Sequence, residues 1–104
     1  MLPEILTDIP GPKSLSLANR LARVESRNVT FANSDWPIFW ERAAGTNVWD
    51  VDGNRFLDFT SAFAVSGLGH SNPAVVEALK SQADLLLHGM GDVHPAEVKV
   101  ALCE

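Results

Sequence analysis

The chain has 104 residues, 46% of them hydrophobic and 20% charged, which excludes a disordered or fibrous polymer and allows at most one small domain. A formal net charge of -5 argues against nucleic acid and anionic membrane surfaces as partners, because both repel a negative chain. Its one cysteine, Cys103, supplies neither an internal disulfide nor a cysteine metal cage, so a reducing, cytoplasmic setting is expected.

Residues 1–13 hold Pro3, Pro10, Gly11 and Pro12 and are expected to form an irregular leader that needs another element to lie on. The first twelve residues carry no Lys or Arg, so they lack the basic start of a secretion signal. No apolar run approaches the ~18 residues of a membrane-spanning helix. From Ser14 the spacing of Leu17, Leu21 and Val24 predicts an amphipathic helix, with Arg20, Arg23 and Arg27 on another face and Asn28 as the stop.

After Pro37, Ile38-Phe39-Trp40-Glu41-Arg42-Ala43 is dense in strand-forming residues. Val48–Val51 and Arg55–Phe59 flank Asp52-Gly53-Asn54, a strong hairpin signal, so residues 38–59 are predicted to be a small antiparallel meander. Asn72 as capping acceptor and Pro73 at the first helical position open another helix. Its apolar stripe is Val76, Leu79, Ala83 and Leu86, and His88-Gly89 ends it. Residues 95–104 read as one more helix, with Pro95 in front and no capping signal at its end. Two or three helices around one meander, with the last helix uncapped, predict a piece of a larger protein.

Few residue groups stand out as chemistry by spacing alone. His70, His88 and His94 match none of the close ligand pairs of zinc sites, and capping or packing is the simpler role for each. Asp50-Val51-Asp52-Gly53-Asn54 has the residue types of a calcium loop, but its Gly is misplaced and no Glu closes it, so the hairpin turn explains it better. Gly67-Leu68-Gly69-His70-Ser71-Asn72 precedes a helix, where an anion could dock, yet the third Gly of the dinucleotide pattern is missing. Ser66 lacks nucleophile-elbow neighbours. The arginine stripe reads as a solvated face, and Trp36, Trp40 and Trp49 read as core or interface mass, with a ligand pocket as the alternative.

Taken in order, Val48–Phe59, Ala64-Val65 and Gly67–Pro73 closely resemble the amino-terminal region of class III aminotransferases, which are fold type I enzymes that use pyridoxal phosphate. Pro37-Ile38-Phe39, Gly45, Gln82 and His88 extend the resemblance over about residues 36–104. It implies that this α+β segment (N-terminal helix, antiparallel meander, helices) belongs to a fold type I α/β transferase. In that reading, residues 14–104 are the start of the small domain leading into the large one. It also implies an active site shared between two subunits of a homodimer, with an amino acid or amine donor and a 2-oxo acid acceptor as substrates.

The family's Schiff-base lysine, ring-binding aspartate and phosphate-binding turn would lie beyond this chain, and Lys13, Lys80 and Lys99 do not match that lysine's context. By analogy, this segment would add substrate-pocket residues: Phe63 and Ala64 in one loop, Met90 and Asp92 in another. Core packing for Phe63 and simple loop polarity for Asp92 stay open beside that reading. An aromatic at Phe63 would favour slim or apolar substrates, and a carboxylate at Asp92 would attract a distal ammonium. The alternatives are a mutase, racemase or decarboxylase of the same family, or a free-standing interaction module.

Overall fold

A computed structural model describes residues 1–26, 37–91 and 93–104. The chain forms two compact units, Met1–Ser71 and Asn72–Glu104. The α+β character expected of the segment is present, with helices and one three-stranded antiparallel sheet.

In the first unit, β1 (Trp40–Ala44), β2 (Asn47–Asp50) and β3 (Arg55–Leu57) follow one another in the sheet. The strand expected from residue 38 begins at Trp40, and its pairing slips between Trp40 and Arg42, so the ladder is regular only from Arg42 onward. The central strand β2 is buried along its whole length, the pattern of a strand covered on both faces. Val48 pairs with Phe56, while the ring of Trp49 lies 3.7 Å beneath the Arg42 guanidinium. Among the described residues Val48 and Trp49 are the buried hydrophobic ones, so Trp49 is core mass, while Trp40 is half exposed.

The hairpin turn is built by its own polar side chains. Asp50 Oδ1 accepts the amides of Asp52 (3.0 Å) and Asn54 (2.8 Å), and Asp50 Oδ2 accepts from Asn54 Nδ2 at 2.8 Å. These bonds use the carboxylate that a calcium loop would need for its ion, and the turn reading accounts for the Asp-x-Asp-Gly-Asn run. Asn54 then reaches the leader: its Oδ1 accepts the amides of Leu6 (2.6 Å) and Thr7 (2.9 Å), and its Nδ2 donates to Thr7 Oγ1. Glu4 exchanges both backbone bonds with Arg55 and is joined to it by a 3.1 Å ion pair. The leader therefore lies along the free edge of β3 and covers it.

Helix α1 (Pro12–Val24) starts two residues before the expected Ser14, because Pro12 occupies the first turn where its missing N–H costs nothing. Its N-cap, Gly11, has no side chain to cap with. The Asp52 carboxylate takes that role from the hairpin turn, accepting the amides of Lys13 (2.7 Å) and Ser14 (2.9 Å). Leu17 and Leu21 of the expected stripe are half-buried, but Val24 is exposed. Arg27, Asn28 and Trp36 lie outside the described residues.

In the second unit, Asn72 caps α3 (Pro73–Leu85) as its sequence predicts, its side chain accepting from the amides of Ala74 and Val75, with Pro73 next to it. The helix ends at Leu85, three residues short of the expected stop, with Leu86 in extended backbone. Helix α4 (Glu97–Cys103) begins after Ala96, so Pro95 stands before it and not within it. Neither helix has a fully buried residue, and the stripe predicted on α3 is open, with Leu79 66% exposed. Among the described residues, no helix is long and apolar enough to cross a membrane.

Candidate functional site

The segment after β3 departs from anything its composition predicts. Ser61, Ala62, Phe63 and Ala64 all have positive φ, between 50 and 63°, so α2 (Ser61–Ala64) is a single turn that winds left-handed. For residues with a Cβ this conformation costs roughly 1–2 kcal/mol each, and it persists only where the surroundings impose it. The backbone closes the turn through the Ala64 amide on the Thr60 carbonyl (2.9 Å) and the Ser66 amide on the Ser61 carbonyl (2.9 Å).

Asp58 imposes the rest. One carboxylate oxygen accepts the Thr60 amide and hydroxyl, both at 2.8 Å, and the other accepts the Ala62 amide at 2.9 Å and the His70 ring at 2.7 Å. Because a carboxylate only accepts, His70 Nε2 carries the proton of that bond. The Asp58 side chain is 5% exposed and that of His70 12%. The His70 bond, followed by the Thr60 hydroxyl, outweighs desolvation and, with the Thr60 and Ala62 amides, holds the Asp58 carboxyl far below its ordinary 3.8.

His70 is fixed in turn. Its amide and carbonyl exchange bonds of 2.8 and 2.9 Å with Gly45 between β1 and β2, and its ring stands edge-on to Trp40 with centroids 5.8 Å apart. Gly69 is needed for this approach: its φ is +86°, and a Cβ there would meet the Gly45 Cα at 3.3 Å. His70 is therefore packed and hydrogen-bonded between the Asp58 turn and the sheet.

Beside Asp58 lies a cavity of about 500 Å³ on the Val48–Phe56 face of the sheet, walled by Trp40, Val48, Phe56 and Phe59, with Asp58 and Thr60 as its carboxylate and hydroxyl. No lysine or arginine lines it. Lys13 is exposed at the start of α1, Lys80 is exposed on α3, and Lys99 is exposed on α4. The described residues thus offer neither a buried amine nor a cationic cradle for a phosphate, and they do not by themselves make a pyridoxal phosphate site.

Of the pocket residues expected from the sequence, Phe63 and Ala64 share the left-handed turn and are exposed, Phe63 to 96%. Among the described residues Phe63 is thus not part of the core. Met90 belongs to the second unit, where it is 65% exposed and bridges to His94 across a tight turn. Asp92 lies outside the described residues. Sequence reasoning missed Asp58 as the residue organising the Phe63 turn. The available signal was Thr60 two residues after Asp58, the spacing at which an acidic side chain bonds back to its own backbone.

Comparison with known proteins agrees with the motif order. The family model "Aminotransferase class-III" matches residues 30–104. A 4-aminobutyrate aminotransferase of Mycobacterium leprae is 42% identical over 97% of this chain, which spans 22% of that protein. A glutamate-1-semialdehyde 2,1-aminomutase of Chloroflexus aurantiacus is 55% identical over 45% of the chain and 11% of its own length. Among solved structures, the taurine:2-oxoglutarate aminotransferase of Bifidobacterium kashiwanohense, in complex with pyridoxal phosphate and glutamate, superposes with a TM-score of 0.69 at 28% identity. That match covers 95% of this chain and 20% of the solved one. With a family match over well more than half its residues and a fold shared with solved transaminases, the chain belongs to the class-III aminotransferases, of whose length it spans about a fifth.

Proposed function

We propose that this chain is the amino-terminal part of a pyridoxal phosphate-dependent aminotransferase that moves an amino group from an amino acid or ω-amine to a 2-oxo acid. The observation that carries the reading is the 42% identity to a 4-aminobutyrate aminotransferase across 97% of the chain. The cofactor, held by parts of the parent outside these residues, supplies the electron sink for the chemistry at the amine carbon. The residues of this chain supply shape: Phe63 and Ala64 on the left-handed turn border the substrate, and the family resemblance assigns Met90 and Asp92 to a segment that faces an active site across the dimer. The parent acts as a cytoplasmic homodimer. Large side chains left open on this segment, such as Phe59 (91% exposed) and Leu102 (86%), suit burial against further protein.

The names of the relatives favour an ω-amino donor, since 4-aminobutyrate and taurine both carry the amine far from the acid group. The test is product analysis with the full-length protein, offered a panel of α- and ω-amines together with a 2-oxo acid. Transfer to the 2-oxo acid, with an ω-amine among the accepted donors, is expected. Substitution of Phe63→Ile is expected to shift the order of preferred donors, and an unchanged order contradicts the pocket role.

A second reading, an aminomutase of the same family, is favoured by the 55% identity to a glutamate-1-semialdehyde aminomutase over part of the chain. It predicts isomerisation of a single substrate with no 2-oxo acid consumed, and the same product analysis separates the two.

A further inference from the structure

Among the described residues the ring of Phe63 is 96% open, so side-chain packing does little to set its direction. Its direction is therefore set by the backbone of the left-handed turn, which Asp58 holds by the amides and hydroxyl on either side of Ser61. His70 closes this arrangement by filling the remaining acceptor position of Asp58 and by anchoring the pair to Gly45 at the end of the sheet. The chain of contacts runs without a gap from the β1–β2 turn, through His70 and Asp58, to the residue preceding Phe63.

We propose that Asp58 and His70 are positioning residues for the substrate: they clamp the left-handed turn so that Phe63 is presented to the bound donor in one fixed direction. The proposal rests on the reading of Phe63 as a pocket residue, and it assigns to the Asp58–His70 pair a role in substrate affinity rather than in the reacting step. Asp58→Asn preserves shape but keeps a single acceptor oxygen, so it cannot accept from the Thr60 and the Ala62 amides at once, and the turn loses part of its clamp. His70→Gln keeps a side-chain N–H directed to Asp58, whereas His70→Ala removes it.

The experiment is a double-mutant cycle in the full-length protein, with kcat and KM for the amine donor as the readout. Asp58→Asn and His70→Ala are expected to raise KM about tenfold with kcat within about twofold, and His70→Gln to stay near the parent. In a Phe63→Ala background the same changes are expected to alter KM by less than about twofold, because the residue they position is gone. Limited chymotrypsin digestion gives a readout apart from activity: cleavage after Phe63 is expected to accelerate in Asp58→Asn and His70→Ala but not in His70→Gln. Equal effects of Asp58→Asn with and without Phe63, or unchanged KM and unchanged cleavage, overturn the positioning role alone. A Phe63→Ala variant whose KM matches the parent overturns the pocket reading, and the positioning proposal falls with it.

Discussion

Gly11 and Asp52 meet so closely that a Cβ on Gly11 would lie 2.6 Å from Asp52 Oδ2. The missing side chain at the helix N-cap is what lets a carboxylate from a distant hairpin turn reach the amides of Lys13 and Ser14. Gly11→Ala is therefore expected to destabilise the first unit by roughly 1–3 kcal/mol, since either the helix start or the Asp52 side chain must move. Urea unfolding followed by tryptophan emission checks this, because all three tryptophans precede residue 72.

Asn54 is fully buried and joins three segments: the leader, the turn and the Asp50 carboxylate. Asn54→Ala strands the amides of Leu6 and Thr7 and one oxygen of Asp50. A loss of about 3 kcal/mol is expected, with each unmet buried group costing about 1–3 kcal/mol. Release of the leader is expected to follow, seen as faster proteolysis within residues 1–11 while the hairpin is still folded.

The lowered Asp58 pKa sets a direction for pH dependence. A group whose folded pKa lies below its ordinary 3.8 stabilises the fold above that value, and the contribution is lost as pH falls toward the folded pKa. Asp52 adds in the same direction: desolvation raises its pKa, but the amides of Lys13 and Ser14, the Ser14 hydroxyl and the Lys13 charge together lower it. Acidification below about pH 4 is thus expected to reduce the urea midpoint of the first unit. Asp58→Asn is expected to flatten that slope, leaving the part due to Asp52, and a slope identical to the parent contradicts the assignment.

In the second unit, Asn72 caps α3 through the amides of Ala74 and Val75. Asn72→Ala is expected to cost about 1 kcal/mol of helix stability. The loss should appear in helical circular dichroism with the tryptophan transition unchanged, as all tryptophans lie outside this unit.

Local rules made the meander and the Asn72-Pro73 helix start legible, because each depends on residues close together in sequence. The start of α1 was misjudged by two residues because its cap, Asp52, comes from a turn far along the chain. The turn at Phe63 was illegible for a related reason. Ser, Ala and Phe have no intrinsic preference for positive φ, and the Asp58 and His70 contacts, one of them spanning twelve residues, help to impose it. Phe63 and Ala64 entered as pocket residues through family resemblance, and no spacing rule would have found them.

The most direct test of the central claim is to read the coding frame past codon 104 and assay the protein it encodes. The claim predicts a frame that continues for several hundred codons, supplies a cofactor-binding lysine outside this segment, and yields a protein that transfers an amino group to a 2-oxo acid. A stop directly after Glu104, in a chain that folds alone and binds no pyridoxal phosphate, contradicts it.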